Sequence, residues 1–239
     1  MNKPELTTRA SQASKLTSQQ IEALRKIDSP TIANAIEAFD VRDRTDGYAS
    51  LELRCLFPEL PPTVGYAITC TVDSTSPGKR PPTALHDLFA LVKEAPKPSI
   101  IVMKNIGPDR LRSCHAGDVL STIFQTLGAV ALVTDGGVRD LAGVRQRAPN
   151  FQLFAPGVVV AHGTTAVIEI GLTVSIFGLT IHPGDLLHGD ANGLVSIPTN
   201  IADRVAAQAE KVWQNERELV DFVKSQALTL TELKARMTH

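Results

Sequence analysis

Cysteine is scarce in this chain of 239 residues, which has three: Cys55, Cys70 and Cys114. Their odd number, in no metal-like spacing, points to a reducing compartment, which we take as the cytoplasm. An excess of charge of one sign is also lacking. The 24 Lys and Arg against 25 Asp and Glu leave a net charge of −1, with a pI near 6.6, so there is no basic footprint for nucleic acid. No apolar run reaches the roughly 18 residues that a membrane helix needs. The opening Met1-Asn2-Lys3-Pro4-Glu5 has no apolar core of a secretory signal, so none is expected. There is no internal repeat, no low-complexity segment and no dinucleotide glycine fingerprint; Gly136-Gly137 reads as a turn. The chain does have apolar content, at 43% hydrophobic residues, enough for one sizeable core or two small ones. We expect a flexible polar arm over residues 1–16 and one domain over 17–239.

Along the chain, Thr17-Ser18-Gln19-Gln20 reads as a capping box opening a helix with Ile21, Leu24 and Ile27 on one side. Ser29-Pro30 opens a second helix, burying Ile32, Ala33, Ile36 and Phe39. Residues 40–64 are irregular and carry the charged run Arg42-Asp43-Arg44-Thr45-Asp46, which reads as a solvated loop. Gly65 to Asp73 alternates and is β-branched, hence a strand. The proline-bearing stretch 74–82 is a loop, 83–93 an amphipathic helix, and Ser99 to Lys104 a buried strand. After residue 140 we expect a short helix from Leu141, short strands at Phe151–Phe154, Val158–Val160, Val167–Ile170 and Leu172–Ile176, and a hairpin turn at Asp190-Ala191-Asn192-Gly193. From Ile201 to about Gln226 one long helix carries the stripe Val205, Ala209, Val212, Leu219, Val220 and Val223.

The chemistry concentrates in one stretch: Gly117-Asp118, twenty residues, then Arg139-Asp140. Asp118 is placed at the N-cap of a helix whose buried face is Leu120, Ile123 and Leu127. Gly128 ends that helix. The strand Ala129 to Thr134 follows, then the turn Asp135-Gly136-Gly137-Val138. A helix of about ten residues climbs about 15 Å, and a strand of about six covers about 20 Å. Packed antiparallel, the two return Arg139-Asp140 to the helix N-terminus. The free N–H groups of Val119 and Leu120 then suit a carboxylate. Arg139 offers a planar fork for carboxylate or enolate oxygens. Asp140 is a hard oxygen ligand for Mg²⁺ or Mn²⁺, and Asp118 would orient Arg139 or a water. The same residues also have a purely structural reading, with Asp118 as a helix cap and Arg139-Asp140 as a turn ion pair. His115 is a candidate for proton transfer or for the substrate rim; an exposed loop histidine is the bland alternative. Cys114-His115 also invites a thiol-nucleophile reading, but sequence neighbours point apart.

The spacing Asp118-(20 residues)-Arg139-Asp140, preceded by Asp135-Gly136, resembles the signature of the class II pyruvate aldolases of the 4-hydroxy-4-methyl-2-oxoglutarate/4-carboxy-4-hydroxy-2-oxoadipate type. These belong to the RraA-like superfamily together with the regulators of ribonuclease E activity. A second similar stretch runs Pro183-Gly184-Asp185 to Asp190-Ala191-Asn192-Gly193-Leu194-Val195-Ser196-Ile197-Pro198. The resemblance covers roughly residues 20–225. It implies an α/β fold, the swivelling α/β/β/α sandwich with a long C-terminal helix, assembled as a homotrimer or a homohexamer with sites between subunits. It implies a divalent metal, a small 2-oxo acid substrate, and a lyase that releases pyruvate by retro-aldol cleavage or decarboxylates oxaloacetate through one enolate. A glutamate of a neighbouring C-terminal helix approaches the metal waters in those aldolases, and Glu216 is the nearest positional match. Asn34 stands where many members carry Asp. Asp190 is a fallback metal ligand; its acid and glycine neighbours have a sufficient turn explanation. The non-catalytic regulators commonly break the Asp-(20)-Arg-Asp pattern, which is intact here. The competing expectation is a regulator that binds a protein partner such as ribonuclease E. The loops 40–64 and 74–82 depart from the best-known aldolases.

Overall fold

The computed structural model describes residues 15–78 and 82–237. The helices are α1 (Ser18–Leu24), α2 (Ser29–Glu37), α3 (Leu85–Glu94), α4 (Asp118–Thr126), α5 (Leu141–Arg147), α6 (Ala202–Lys224) and α7 (Leu230–Met237). The strands are β1 (Arg54–Cys55), β2 (Thr63–Asp73), β3 (Ser99–Asn105), β4 (Cys114–Ala116), β5 (Ala129–Thr134), β6 (Gly137–Val138), β7 (Gln152–Ala155), β8 (Ala166–Ile170), β9 (Val174–Ile176), β10 (Leu179–Ile181), β11 (Leu186–Asp190) and β12 (Gly193–Ile197).

Strand alternation builds the layers. The main sheet runs β1-β7-β5-β3-β2-β11-β12, with β8 on β2. Its central strands β2, β3, β5 and β7 are parallel. Ile101, Met103 and Leu132 point to one face, where Leu88 and Val92 of α3, Phe124 of α4 and Val144 of α5 cover them. Their neighbours Ile100, Val102, Ala131 and Val133 point to the other face, against Ile176 and Ile181 of the β9–β10 hairpin and Leu187 of β11. Leu186, one residue from Leu187, turns outward with Val195 and Ile197 to meet α1, α2 and the first half of α6. Period-two alternation thus gives each strand two apolar faces. The product is a layered α/β/β/α sandwich.

The N-terminal helices start as their sequences specify. Thr17 and Gln20 form the reciprocal capping box, and the Asp28 carboxylate caps α2 with proline in its first turn. In α2 the buried set is Ile32, Ala35 and Ile36, while Ala33 and Phe39 are half-buried, so the expected face is rotated slightly.

Three expectations change. Val158–Val160 is no strand; only Val158 bridges Val138, because the segment follows two-residue β6 rather than a long ladder. Residues 40–64 are not simply a solvated loop. Arg42 is half-buried and its guanidinium donates to the Ser196 carbonyl at 2.9 Å, while Tyr48 bridges Val195 and β1 pairs with β7. The α6 stripe is only partly covered. Val205 and Ala209 are buried, but Val220 and Val223 are 45% and 42% exposed. A helix of 23 residues spans about 35 Å and outruns the core of its own chain. The expected arm over 1–16 falls almost wholly outside the described residues; Leu16 itself donates its N–H to the Tyr66 hydroxyl. Among the described residues no helix is long and apolar enough to cross a membrane.

Candidate active site at the first turn of helix α4

A small parallel ribbon brings the two halves of the motif together. β4 pairs with β6, the Arg139 N–H donates to the Ala116 carbonyl at 3.0 Å, and Gly137 donates to Ser113 at 3.0 Å. Gly117 is thereby held against Arg139-Asp140. A Cβ on Gly117 would lie 2.8 Å from Asp140 Oδ2 and 3.1 Å from Arg139 Cγ, so a larger residue here would displace the two side chains of the motif. The return over twenty residues expected from helix and strand lengths is found, delivered by β5 and β6 in turn.

Within the site, some roles differ from expectation. Gly117, not Asp118, is the N-cap, and Asp118 is the first helical residue. The buried face of α4 is Ser121 and Phe124, with Leu120 and Leu127 partly buried beside the core; Ile123 is not part of it. Asp118 does not orient Arg139. Its Oδ1 accepts the Val119 N–H at 2.8 Å, and its Oδ2 pairs with the Arg147 guanidinium. The Val119 N–H is therefore engaged, whereas among the described residues the Leu120 N–H has no acceptor. Arg139 Nε contacts Asp140 Oδ2 at 3.0 Å, both side chains being partly exposed, and Arg139 Nη1 lies 3.5 Å from the Val160 carbonyl. Asp140 caps α5 in the left-handed region, at φ 59° and ψ 37°, a conformation tolerated by aspartate and concentrated at functional sites.

His115 is neither an exposed loop histidine nor a rim residue. It is 1% exposed, with Nδ1 2.6 Å from the Thr134 hydroxyl and Nε2 3.3 Å from Asn105 Oδ1. Beside it a Cβ on Gly136 would come within 2.6 Å of the ring, so Gly136 serves close packing as well as the turn. Burial pulls the His115 pKa down to about 4 from its ordinary 6.5, and burial lowers His188 too. Between those values the unfolded chain binds the proton and the folded chain does not. Stability is full above pH 6.5 and is lost as pH falls toward 4. His115 alone contributes a loss of about 3 kcal/mol, so thermal melting is expected to drop steeply from pH 7 to 4, and less in His115→Gln. Equal slopes in the two proteins would refute this assignment. Cys114 is buried, and desolvation raises its thiol pKa, which removes the nucleophile reading.

The remaining candidates lie elsewhere. Asp190 is buried with Oδ2 accepting the Ser29 N–H at 2.8 Å and Oδ1 the Asn192 N–H at 2.7 Å; it ties the hairpin to α2 and is not a spare ligand. Asp185 accepts the His182 N–H at 2.7 Å. Asn34 is exposed. Glu216 is exposed on the far half of α6, whose packing in its own chain is against α1 and α2. Two features were missed by sequence reasoning. One is the Lys104–Asp135 pair, at 2.6 Å; the other is the reach of Arg147 to Asp118. The first had a faint signal in Asp135 beside Gly136; a pairing 29 residues apart had none.

Among the described residues no cluster of three His, Cys, Asp or Glu side chains could enclose a metal. The donor set does fit a cation held by one protein carboxylate. Asp140 is 40% exposed and its Arg139 contact uses Oδ2 alone, leaving Oδ1 for a hard ion that retains its waters. A cavity of about 630 Å³ sits at the other end of the sheet, lined by Ile21, Arg25, Thr63, Lys97, Gln125 and Ala129 among others. It lies at the starts of β2, β3 and β5, away from the motif residues, and we do not assign the chemistry to it.

Residues 30–196 match the family profile described as RraA-like: Aldolase/RraA. A Halalkalibacterium halodurans protein, provisionally named a 4-hydroxy-4-methyl-2-oxoglutarate aldolase, is 29% identical over 167 residues, 68% of this chain and 78% of that protein. Solved structures share the fold. An uncharacterized protein from Pseudomonas syringae pv. tomato superposes with a TM-score of 0.72 at 24% identity, covering 95% of this chain and 97% of that one. Streptomyces coelicolor RraAS2, an unusual member of the RNase ES inhibitor RraA family, gives 0.66 at 22%, covering 85% and 96%.

Proposed function

This chain belongs to the RraA-like (Aldolase/RraA) family, and from that premise we propose that it is a divalent-metal-dependent carbon–carbon lyase acting on a small 2-oxo acid. The observation that supports this reading most is the meeting of Arg139, Asp140 and the free Leu120 N–H around Gly117. Regulation of a partner needs no such convergence, whereas enolate chemistry does. The relative provisionally named an aldolase points the same way.

Asp140 would hold Mg²⁺ or Mn²⁺, which supplies Lewis-acid polarisation of the keto oxygen. The other roles fall to the chain itself. The Leu120 N–H and the positive end of α4 hold the substrate carboxylate. Arg139 presents its fork to the oxygen that gains charge as the carbon–carbon bond breaks, stabilising the pyruvate enolate. Asp118 positions a water to take the proton of the 4-hydroxyl in retro-aldol cleavage. Loss of CO₂ from oxaloacetate leads to the same enolate. We extend the proposal to a homotrimer or homohexamer in the cytoplasm, in which the exposed half of α6 is covered and Glu216 of the partner subunit reaches the site.

The test is pyruvate release from oxaloacetate and from 4-hydroxy-4-methyl-2-oxoglutarate with Mg²⁺ or Mn²⁺, with a chelator control and Asp140→Ala. We expect metal-dependent pyruvate that vanishes in the variant. Bound metal without pyruvate would point to another 2-oxo acid. Neither metal binding nor pyruvate would replace this reading by that of a binding protein.

A further inference from the structure

Asp118 is an acid of the motif whose partner the sequence did not disclose. Its side chain is 14% exposed, and each carboxylate oxygen has one partner, which leaves a second lone pair on each for a water. Oδ1 accepts the N–H of Val119, which fixes the carboxylate to the start of α4, and Oδ2 meets the guanidinium of Arg147. Arg147 is the last residue of α5. The middle of α5 closes on the same carboxylate, since a Cβ on Gly143 would lie 2.9 Å from Asp118 Oδ2 and 3.0 Å from its Cβ. The start of α5 is capped by Asp140. One short helix therefore carries the metal-ligand candidate at its first end and the clamp on Asp118 at its last.

The neighbouring arginine is engaged elsewhere. Arg145 contacts Glu59 at 2.9 Å and lies over the Phe57 ring. Arg147 is half exposed, so the pair contributes little to stability. Its effect is on direction: a carboxylate with two free rotamers would present its oxygens to the site only part of the time, and the guanidinium selects one arrangement.

We propose that Arg147 is a positioning residue: by holding the Asp118 carboxylate between Gly143 and the first turn of α4, it fixes where that acid can place a water against the substrate. This rests on the lyase reading and adds a residue outside the motif to its machinery. Arg147 touches no reacting atom and acts only through Asp118.

The test is a double-mutant cycle on the full-length protein, with pyruvate release from oxaloacetate and 4-hydroxy-4-methyl-2-oxoglutarate in Mg²⁺ or Mn²⁺ as the readout. The proteins are wild type, Arg147→Ala, Arg147→Lys, Asp118→Asn and the double variant Asp118→Asn/Arg147→Ala, each checked for an unchanged melting temperature. Arg147→Gln replaces the alanine variant if that one melts early. We expect Arg147→Ala to lower kcat at least about ten-fold with KM changed less than about three-fold, as loss of an interaction that acts in the transition state does. Arg147→Lys should restore part of the loss. The double variant should be no slower than Asp118→Asn alone, because residues acting through one another are not additive. Wild-type kcat in Arg147→Ala, or additive losses, would overturn the positioning role while the lyase reading stands. No pyruvate from the wild type with either substrate and either metal would overturn the lyase reading, and the positioning role with it.

Discussion

Replacing Arg139 by alanine is expected to abolish turnover while the protein melts within about 2 °C of wild type. Among the described residues, Arg139 is the guanidinium placed against both Gly117 and Asp140. Losing a preorganised donor to a developing oxyanion costs about 10² to 10³ in kcat, and here no other side chain is assigned to the enolate oxygen. The stability side is small. Arg139 is 35% exposed and its ion pair is with its neighbour Asp140, the kind of contact worth about 1 kcal/mol or less. Arg139→Lys should recover little, because a point charge cannot reproduce the planar fork. Steady-state pyruvate assays and a melting curve decide the matter. Near-wild-type kcat in a folded Arg139→Ala protein would remove the site assignment.

Asp135→Ala should do the opposite, costing stability first. The Asp135 side chain is 2% exposed; Oδ2 meets Lys104 Nζ at 2.6 Å and Oδ1 accepts the buried Asn105 N–H at 2.7 Å. Truncation leaves that N–H without a partner, at about 1–3 kcal/mol, and strips Lys104 of its counter-ion. Breaking a fully buried pair costs about 3–5 kcal/mol. Lys104 is 34% exposed and regains some water, so the lower end, about 3 kcal/mol, is the expected total. For a chain of this length that is a fall in melting temperature of about 6–12 °C. Asp135→Asn retains an acceptor for Asn105 and should lose about half as much. A melting temperature within about 2 °C of wild type in Asp135→Ala would show that the pair is not holding the ends of β3 and β5 together.

These two residues show how unevenly the site can be read from residue order. Asp140 and Arg139 were legible because their partner Gly117 lies a fixed helix-plus-strand away, and the lengths of α4 and β5 set the return. Asp135 and Asp118 looked like a turn residue and a cap. Their true partners, Lys104 at a strand end and Arg147 at a helix end, come from elements that are adjacent only in three dimensions. His115 was misplaced for the same reason. Its neighbours in sequence, Arg112 and Ser113 on one side and Gly117 on the other, suggest a surface loop, yet the parallel pairing of β4 with β6 buries it against Thr134.

By itself, the sequence determined the elements that carry their own local code. Thr17 and Gln20 close a capping box, Gly128 ends α4 at φ 92°, and the alternation of β2, β3 and β5 marks buried strands. It also determined the motif spacing, and with it the RraA-like family. What only the tertiary structure decided is which charges meet. Backbone patterns repeat every two or 3.6 residues and so can be read from order alone. Ion pairs such as Asp118 with Arg147 depend on the packing of α5 across α4, and that packing is set by the shared core under both helices, which no short-range pattern encodes.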